Sequence, residues 1–224
     1  LEEVILEVEA SDDYGLSEFI LHYSVVGREE VAVDFLPAEQ TRSIAGNQMI
    51  YMEDLSVLPG DFISYYMTLA DNNDLSGAQS VVSDIYFLQV VPTDQEFRRA
   101  SGGGQQGGGG GGGGGDSSAL VTLQKDIISA TWRLRQNQMD LEPRQFADDV
   151  AVIAESQRDA VQRATMSIDR LSERIDFADD TYANAVTFLQ RAIEQMELAA
   201  TELDEAALTS AMVPEQQALQ LVLR

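Results

Sequence analysis

A glycine tract near the middle of the chain limits what the whole sequence can fold into. Residues 102–115 are all glycine apart from Gln105 and Gln106. Glycine loses the most backbone entropy on ordering and has no side chain to bury, so the tract predicts a flexible coil spanning about 20 Å. Neither Gly-Lys-Ser nor Gly-Lys-Thr follows it, which excludes a phosphate-binding loop. The sequence therefore predicts two domains, at residues 1–98 and 117–224, joined by a flexible linker at 99–116.

Apolar and polar residues alternate in the segment that precedes the tract. Val4, Leu6 and Val8 would lie on one face of a strand, with Glu3 and Glu7 on the other. Short runs of this kind, separated by Gly, Pro, Asn and Asp, are typical of an antiparallel β-sandwich. We expect an all-β, immunoglobulin-like or fibronectin-type sandwich whose first strand would precede residue 1. The expected strands are 4–11, 16–26, 30–36, 48–54, 62–70 and 80–91, and the side chains expected inside are Leu6, Val8, Leu21, Tyr23, Tyr65, Met67 and Leu69.

The segment that follows the tract has helical periodicity and predicts an all-α bundle or coiled coil. Ser117 or Ser118 can cap a first helix. Pro143 suits the first turn of a second helix, where its missing N–H costs nothing, and Pro214 is expected to open a last helix. Residues at 4-3 spacing form a heptad seam, at Tyr182, Val186, Leu189, Ile193, Met196, Ala200, Leu203 and Ala207.

Two arrangements of the central helical residues remain open. A bend near Asp176–Asp180 would fold them into a hairpin. Because neither Gly nor Pro occurs between Arg144 and Val213, the alternative is one helix on the order of 100 Å long, at about 1.5 Å per residue. The heptad seam is compatible both with packing inside one chain and with self-association.

Acidic residues dominate the charge of the chain. Asp and Glu number 38 against 14 Lys and Arg, which gives a formal net charge of −24. Nucleic-acid binding requires basic side chains that displace counterions from phosphates, so this composition excludes it. Direct binding to anionic lipid is excluded for the same electrostatic reason. A solvated surface, a halophilic source, and a cationic partner or ion are the interpretations that remain.

Cysteine content and apolar runs limit the sites and the membrane segments that this sequence can contain. It has no cysteine, so disulfides and thiolate metal sites are absent. No apolar run approaches the roughly 18 residues that span a bilayer, and no signal peptide is recognisable. We expect Leu1 and Arg224 to be the edges of a fragment, with a membrane anchor outside it.

Six short strings stand in a recognisable order along the chain. They are Ser11–Leu16, Leu58–Asp61 with Ser64–Tyr66, Ala70–Asn73, Ser83–Phe87, Ile127–Trp132 and Pro214–Leu219. Their order resembles the bacterial family named domain of unknown function 4175. Its members are large envelope proteins with N-terminal membrane helices, an immunoglobulin-like region, helical coiled-coil segments and low-complexity tracts. The resemblance implies a membrane-anchored envelope protein; the family has no assigned activity, so no catalytic residue is implied.

Four aspartates fall on two loops that a sandwich would bring together. Asp12 and Asp13 lie after the first predicted strand, and Asp71 and Asp74 lie after the strand at 62–70. In this topology both loops emerge at the same pole, and their carboxylates would suit a hard cation such as Ca²⁺. The alternative is that these side chains stabilise their own turns. Ca²⁺ is the one cofactor that the sequence suggests.

The only histidine and the only tryptophan are candidates for partner docking. His22 would point outward from its strand, on the face opposite to Leu21 and Tyr23, and no nucleophile motif accompanies it. Trp132 lies one position from the apolar seam of the first helix. It would pack within the bundle or act as a docking anchor, since tryptophan is enriched at interface hot spots. Neither residue is expected to be catalytic.

Together these features predict a non-enzymatic protein. We expect a structural, scaffolding or accessory-subunit role in a bacterial envelope membrane complex, on its periplasmic or extracytoplasmic side. Its partners would be proteins of that complex, or a second copy bound through the helices. The rival interpretation is an immunoglobulin-like module that binds Ca²⁺ or a glycan at the acidic pole. An enzyme is the least favoured class, because acid–base chemistry needs positioned groups in a pocket and the sequence offers scattered carboxylates.

Overall fold

The structure, a computed structural model, describes residues 3–37, 39, 41–73, 79–91, 114–172 and 180–224. Within them, the N-terminal half forms antiparallel β-sheets and the C-terminal half forms four helices. This confirms the predicted order of a β region followed by an α region. The chain divides into two compact units, residues 1–58 with 62–89 and residues 59–61 with 90–224. Most of the predicted linker, residues 99–113, lies outside the described residues.

Seven strands make up the described β unit: β1 (Glu3–Ser11), β2 (Leu16–Val25), β3 (Val31–Asp34), β4 (Ser43–Tyr51), β5 (Phe62–Asp71), β6 (Ser80–Val82) and β7 (Tyr86–Gln89). They form two antiparallel sheets. One sheet consists of β1 and β4, and the other has the order β3–β2–β5–β6, with β7 also paired to β5. Strand β5 is therefore central, because it has partners along both of its edges.

The strand expected at 48–54 begins earlier, at Ser43, and forms β4. It pairs with the whole of β1, from Glu3 opposite Tyr51 to the far end at Ser43. Gly46 interrupts the alternation of side chains from which the strands were predicted. A Cβ atom at Gly46 would lie 2.9 Å from the Phe35 ring, so β4 packs too closely on this ring for a larger residue. The strand expected at 30–36 is shorter, and forms β3.

The strand expected at 80–91 is divided into β6 and β7 at Ser83. The Ser83 N–H donates to the Met67 carbonyl at 2.9 Å, and the Ser83 hydroxyl oxygen accepts from the Met67 N–H at 2.9 Å. The Ser83 side-chain oxygen accepts the hydrogen bond that a backbone carbonyl would accept in a regular sheet. Serine side chains interrupt regular secondary structure in this way. The same hydroxyl donates to the Asp84 carbonyl at 2.8 Å.

The predicted register of the strands is confirmed. Leu21 is 0% exposed, and Val8 is buried as well. A slip of one residue would have moved the whole predicted set to the opposite face. The other predicted inward side chains are half-buried, namely Leu6, Tyr23, Tyr65, Met67 and Leu69.

The inner face of the larger sheet is covered unevenly. Leu21 on β2 is 0% exposed, whereas Val81 on β6 and Tyr86 on β7 are 62% and 49% exposed, although they pair with inward-facing residues of β5. Gly46 of β4 packs on Phe35, the residue that follows β3, so β4 lies towards β3. The strand expected before residue 1 stays a prediction.

Four helices form the described part of the second unit: α1 (Gly114–Asn137), α2 (Pro143–Ser172), α3 (Asp180–Asp204) and α4 (Leu208–Val222). All four contribute side chains to one apolar core, and α2 starts at Pro143 as predicted. α1 begins at Gly114, inside the predicted linker, because adding a residue to a helix costs far less than nucleating one. α4 begins at Leu208, so Pro214 lies inside this helix and not at its start, contrary to the prediction.

The break between α3 and α4 is a turn at Ala206, whose φ is +56°. The Ala207 N–H donates to the Glu202 carbonyl at 2.9 Å, and the Ala206 N–H donates to the Leu203 carbonyl at 2.8 Å. This pair of bonds is a Schellman motif, in which glycine normally occupies the left-handed position. The sequence has neither Gly nor Pro here, so its pattern could not locate the turn.

Helices α2 and α3 pack against each other as separate elements, which is the hairpin and not the single long helix. Arg158 of α2 donates to Asp204 of α3 at 2.6 Å. The heptad residues Met196, Ala200 and Leu203 are buried in the core of the same chain, so this part of the seam packs intramolecularly. None of the described helices combines the length and the hydropathy needed to cross a membrane.

Candidate functional site

His22 occupies the middle of the outer face of the larger sheet. On β2 it alternates with the buried residues Leu21 and Val25. In the sheet it stands directly opposite Tyr66 of β5 on one side and Ala32 of β3 on the other. The outward orientation predicted for the only histidine is therefore confirmed.

A connected cluster surrounds this histidine. The rings of His22 and Tyr66 stack at 4.6 Å between centroids, with 4° between their planes. His22 Nδ1 lies 2.9 Å from Glu30 Oε1, and its Nε2 lies 3.1 Å from Thr68 Oγ1. The Tyr66 hydroxyl donates to Glu30 Oε2 at 3.0 Å. Both polar atoms of the imidazole are thus occupied, and the two rings are tied to the same carboxylate.

The order of Thr68, His22 and Glu30 is hydroxyl, imidazole, carboxylate, as in sites that activate a nucleophile. Such a site also needs donors that stabilise an oxyanion. Thr68 pairs with Ile20 on one side and Val82 on the other, so the strand that carries it has hydrogen-bonded partners on both edges. The cluster is therefore set in a strand that the sheet holds on both edges.

The backbone brings the two loops of the acidic pole together as expected, and the Asp12 and Asp71 carboxylates accept hydrogen bonds within their own loops. The Asn72 N–H donates to the Gly15 carbonyl at 3.0 Å, which joins the two loops. Asp12 Oδ1 accepts from the N–H groups of Tyr14 at 2.8 Å and Gly15 at 3.0 Å. Asp12 thereby stabilises its own turn.

Asp71 has the same role on the second loop. It is 6% exposed, and its Oδ1 accepts from the N–H groups of Gln79 at 2.7 Å and Asn73 at 3.3 Å. Asp13 is exposed, and Asp74 lies outside the described residues. Among the residues that the structure does describe, no group of three or more candidate ligands could hold a metal ion. The Ca²⁺ site stays a prediction.

Trp132 lies inside the helical unit. It is 4% exposed, and the Arg135 guanidinium carbon lies 4.3 Å from the centre of its ring. Its surface is therefore used for packing and for a cation–π contact. The structure supports the packing role and gives no support to the docking role expected as the alternative.

Four polar side chains form a buried layer in the helical unit that the sequence pattern did not reveal. Gln124 and Gln157 exchange amide hydrogen bonds of 3.2 Å in both directions. Gln124 Nε2 also donates to the Glu215 backbone carbonyl at 3.2 Å, and the Thr131 hydroxyl donates to Glu215 Oε1 at 2.7 Å. All four are 0% exposed. The sequence does hold one signal for this layer. Thr131 and Gln157 are polar residues at helix positions where the spacing of their neighbours predicts apolar ones.

Glu215 is the acidic member of this layer. Its second carboxyl oxygen, Oε2, is buried without a hydrogen-bond partner. Burial raises the pKa of Glu215 to about 8, while the hydrogen bond from Thr131 acts in the opposite direction. Burial penalises the charged form of a carboxyl group, so Glu215 is mainly neutral at pH 7.

A cleft of about 520 Å³ opens between α1 and α2, near the turn that joins them. Its apolar lining includes Leu134, Leu141 and Ile153, and its polar lining includes Arg133 and Asp149. Its volume lies in the range typical of small-ligand pockets, about 300–1,000 Å³. The cleft gives the helical unit a concave, mainly apolar surface.

No protein-family model matches this chain, and no curated protein or solved structure matches it significantly. The family resemblance of the sequence motifs therefore stays a prediction, as does the function that it implies.

Proposed function

We propose that this protein is a non-enzymatic scaffolding or accessory subunit of a bacterial envelope membrane complex. In this proposal the β unit is an immunoglobulin-like sandwich that docks a protein partner. The helices form a coiled-coil-type bundle that provides reach or assembly. The net charge of −24 favours a protein partner over nucleic acid or anionic lipid, because both of these are polyanions.

The observation that carries the proposal is the stacked pair of His22 and Tyr66 on the outer sheet face. Tyrosine is enriched at interface hot spots, because it offers a large contact area together with a polar tip. Glu30 and Thr68 already hold the two rings in place. A partner that docks on them therefore loses little of its binding energy to ordering side chains.

The test uses the partner protein itself. A photo-crosslinking amino acid at Ala32, the exposed residue opposite His22 on β3, would identify the protein that contacts the sheet face in bacterial envelopes. The affinity of that purified partner would then be measured by calorimetry. Tyr66→Ala is expected to weaken binding about thirtyfold, equivalent to a hot spot of about 2 kcal/mol.

Tyr14→Ala is the matched control, because Tyr14 is an exposed tyrosine on the loop between β1 and β2. It should leave the affinity unchanged, and melting curves should show that both variants fold. Equal losses in the two variants would contradict the proposed surface. Hydrolysis of a model ester that disappears in Thr68→Ala would contradict the non-enzymatic assignment.

A further inference from the structure

Glu215 is the only acidic or basic residue of α4. Its carboxyl group is fully buried and receives a single side-chain hydrogen bond, from Thr131 of α1. Its Oε2 atom has no partner. An ionised carboxylate requires several donors or an opposite charge when it is removed from water. The surroundings of Glu215 therefore suit a neutral carboxylic acid.

The face of α1 against Glu215 carries amide and hydroxyl groups. Gln124 donates to the Glu215 backbone carbonyl, and Thr131 donates to the carboxyl. Of the charged residues of α1 beside Gln124, Asp126 is exposed and Lys125 is half-buried. Neither charge contributes to the shifted pKa of Glu215.

The charges of α3 that border α4 lie at the surface. Arg191 and Glu194 are exposed and line a shallow cleft together with Gln217 and Gln220. Glu215 is not part of that lining. From α2, Gln157 joins the buried layer through its bonds with Gln124. Burial and the Thr131 hydrogen bond are the causes of the pKa shift of Glu215, and no charged group of the described residues contributes to it.

We propose that α4 docks on the bundle as a proton-coupled element, whose docked state holds one proton on Glu215 and which is released as that carboxyl group ionises. The layer of Gln124, Thr131 and Gln157 specifies the docked position. The proton removes the negative charge of Glu215, so that its carboxyl group can be buried there. The device would link the packing of α4 to the pH of its surroundings.

The direction of the pH dependence follows from the two pKa values of Glu215. Its pKa is about 8 in the docked helix, against an ordinary value of 4.5. Docking is therefore strongest below pH 4.5 and weakens as the pH rises towards about 8. In that window the equilibrium constant for release increases about tenfold per pH unit, because release loses one proton.

Amide hydrogen exchange measured by mass spectrometry tests this coupling in the whole chain. Protection factors of α4, corrected for the intrinsic exchange rate, are expected to fall about tenfold per pH unit between pH 5 and 8 and then to level off. Glu215→Gln should remove this slope, because the side chain no longer ionises. Glu194→Gln, the matched control, replaces an exposed glutamate on α3 and should leave the pH slope of the protection factors unchanged. A flat profile in the wild-type chain, or an unchanged slope in Glu215→Gln, would overturn the proposal.

Thr131→Val provides a second test, which also decides the matter if Glu215→Gln does not fold. The Thr131 hydroxyl bond lowers the pKa of Glu215, so its removal should move the levelling-off to a higher pH. A layer with a purely structural role would instead lose protection equally at every pH. That uniform loss would contradict proton coupling.

Discussion

At the scale of single residues, the acidic pole shows how a charged side chain becomes part of the backbone framework. Asp71 ends β5 with its side chain buried, and one of its oxygens accepts hydrogen bonds from Asn73 and Gln79. A buried N–H group that loses its acceptor costs about 1–3 kcal/mol. The carboxylate is therefore a structural element of the loop between β5 and β6.

Asp71→Ala is expected to lower the free energy of unfolding of the β unit by about 1–3 kcal/mol, because two loop N–H groups lose their acceptor. Urea unfolding followed by the fluorescence of the tyrosines would measure the change. Asp13→Ala is the matched control. Asp13 is exposed, so its replacement should change stability by less than about 0.5 kcal/mol.

The Ca²⁺ hypothesis is tested with different variants of the same loops. Since Asp12 and Asp71 are bonded to their own loops, we expect the melting temperature to be equal in millimolar Ca²⁺ and in EDTA. A bound ion would instead stabilise the fold by about 2.7 kcal/mol at a hundredfold excess over its dissociation constant. A Ca²⁺-dependent increase that disappears in the double variant Asp12→Asn, Asp71→Asn would establish the metal site.

At the scale of secondary-structure elements, the ends of helices and strands are the features that tertiary contacts decided. The turn between α3 and α4 places Ala206 at a φ of +56°. This left-handed conformation costs an L-residue with a Cβ atom roughly 1–2 kcal/mol. The Schellman bonds and the burial of Leu208 and Ala211 beyond the turn compensate for that strain.

Ala206→Gly is expected to stabilise the helical unit by up to about 1 kcal/mol, because glycine adopts positive φ without steric cost. The gain would be measured by urea unfolding followed by circular dichroism of the helices. Ala207 has an ordinary φ of −86°, so Ala207→Gly should destabilise the unit through the entropy of the unfolded chain. The strain argument would be wrong if both glycine variants shifted stability in the same direction.

At the scale of the whole molecule, charge is the property that no single contact explains. A net charge of −24 over 224 residues opposes the compact state through self-repulsion. Only 14 basic residues are present to relieve it. Ionic strength should therefore act on stability as strongly as many single substitutions do.

Raising NaCl from 10 to 150 mM is expected to increase the melting temperature by several degrees, since the screening length falls from about 30 to about 8 Å. Differential scanning calorimetry of the whole chain at pH 7.5 would measure the increase. At pH 5, closer to the isoelectric point of about 4.1, the same step in salt should have a smaller effect. A melting temperature that decreases with NaCl at pH 7.5 would contradict the role of self-repulsion.

The sequence alone determined the order of a β region and an α region, the inward register of Leu21 and Val8, the outward position of His22 and the start of α2 at Pro143. These follow from side-chain periodicity and backbone restrictions, which act between neighbours in the chain. These features can therefore be predicted without knowing which residues pack against them in the fold.

Only the tertiary structure decided which residues meet across the fold. The length of β4 depends on its pairing with β1, and the approach of Gly46 to Phe35 depends on the contact between the sheets. The bonds of His22 to Glu30 and Thr68 join three separate segments, and the layer around Glu215 joins three helices. Such contacts are long-range in sequence, and their energy depends on burial and hydrogen-bond geometry, which no local pattern encodes.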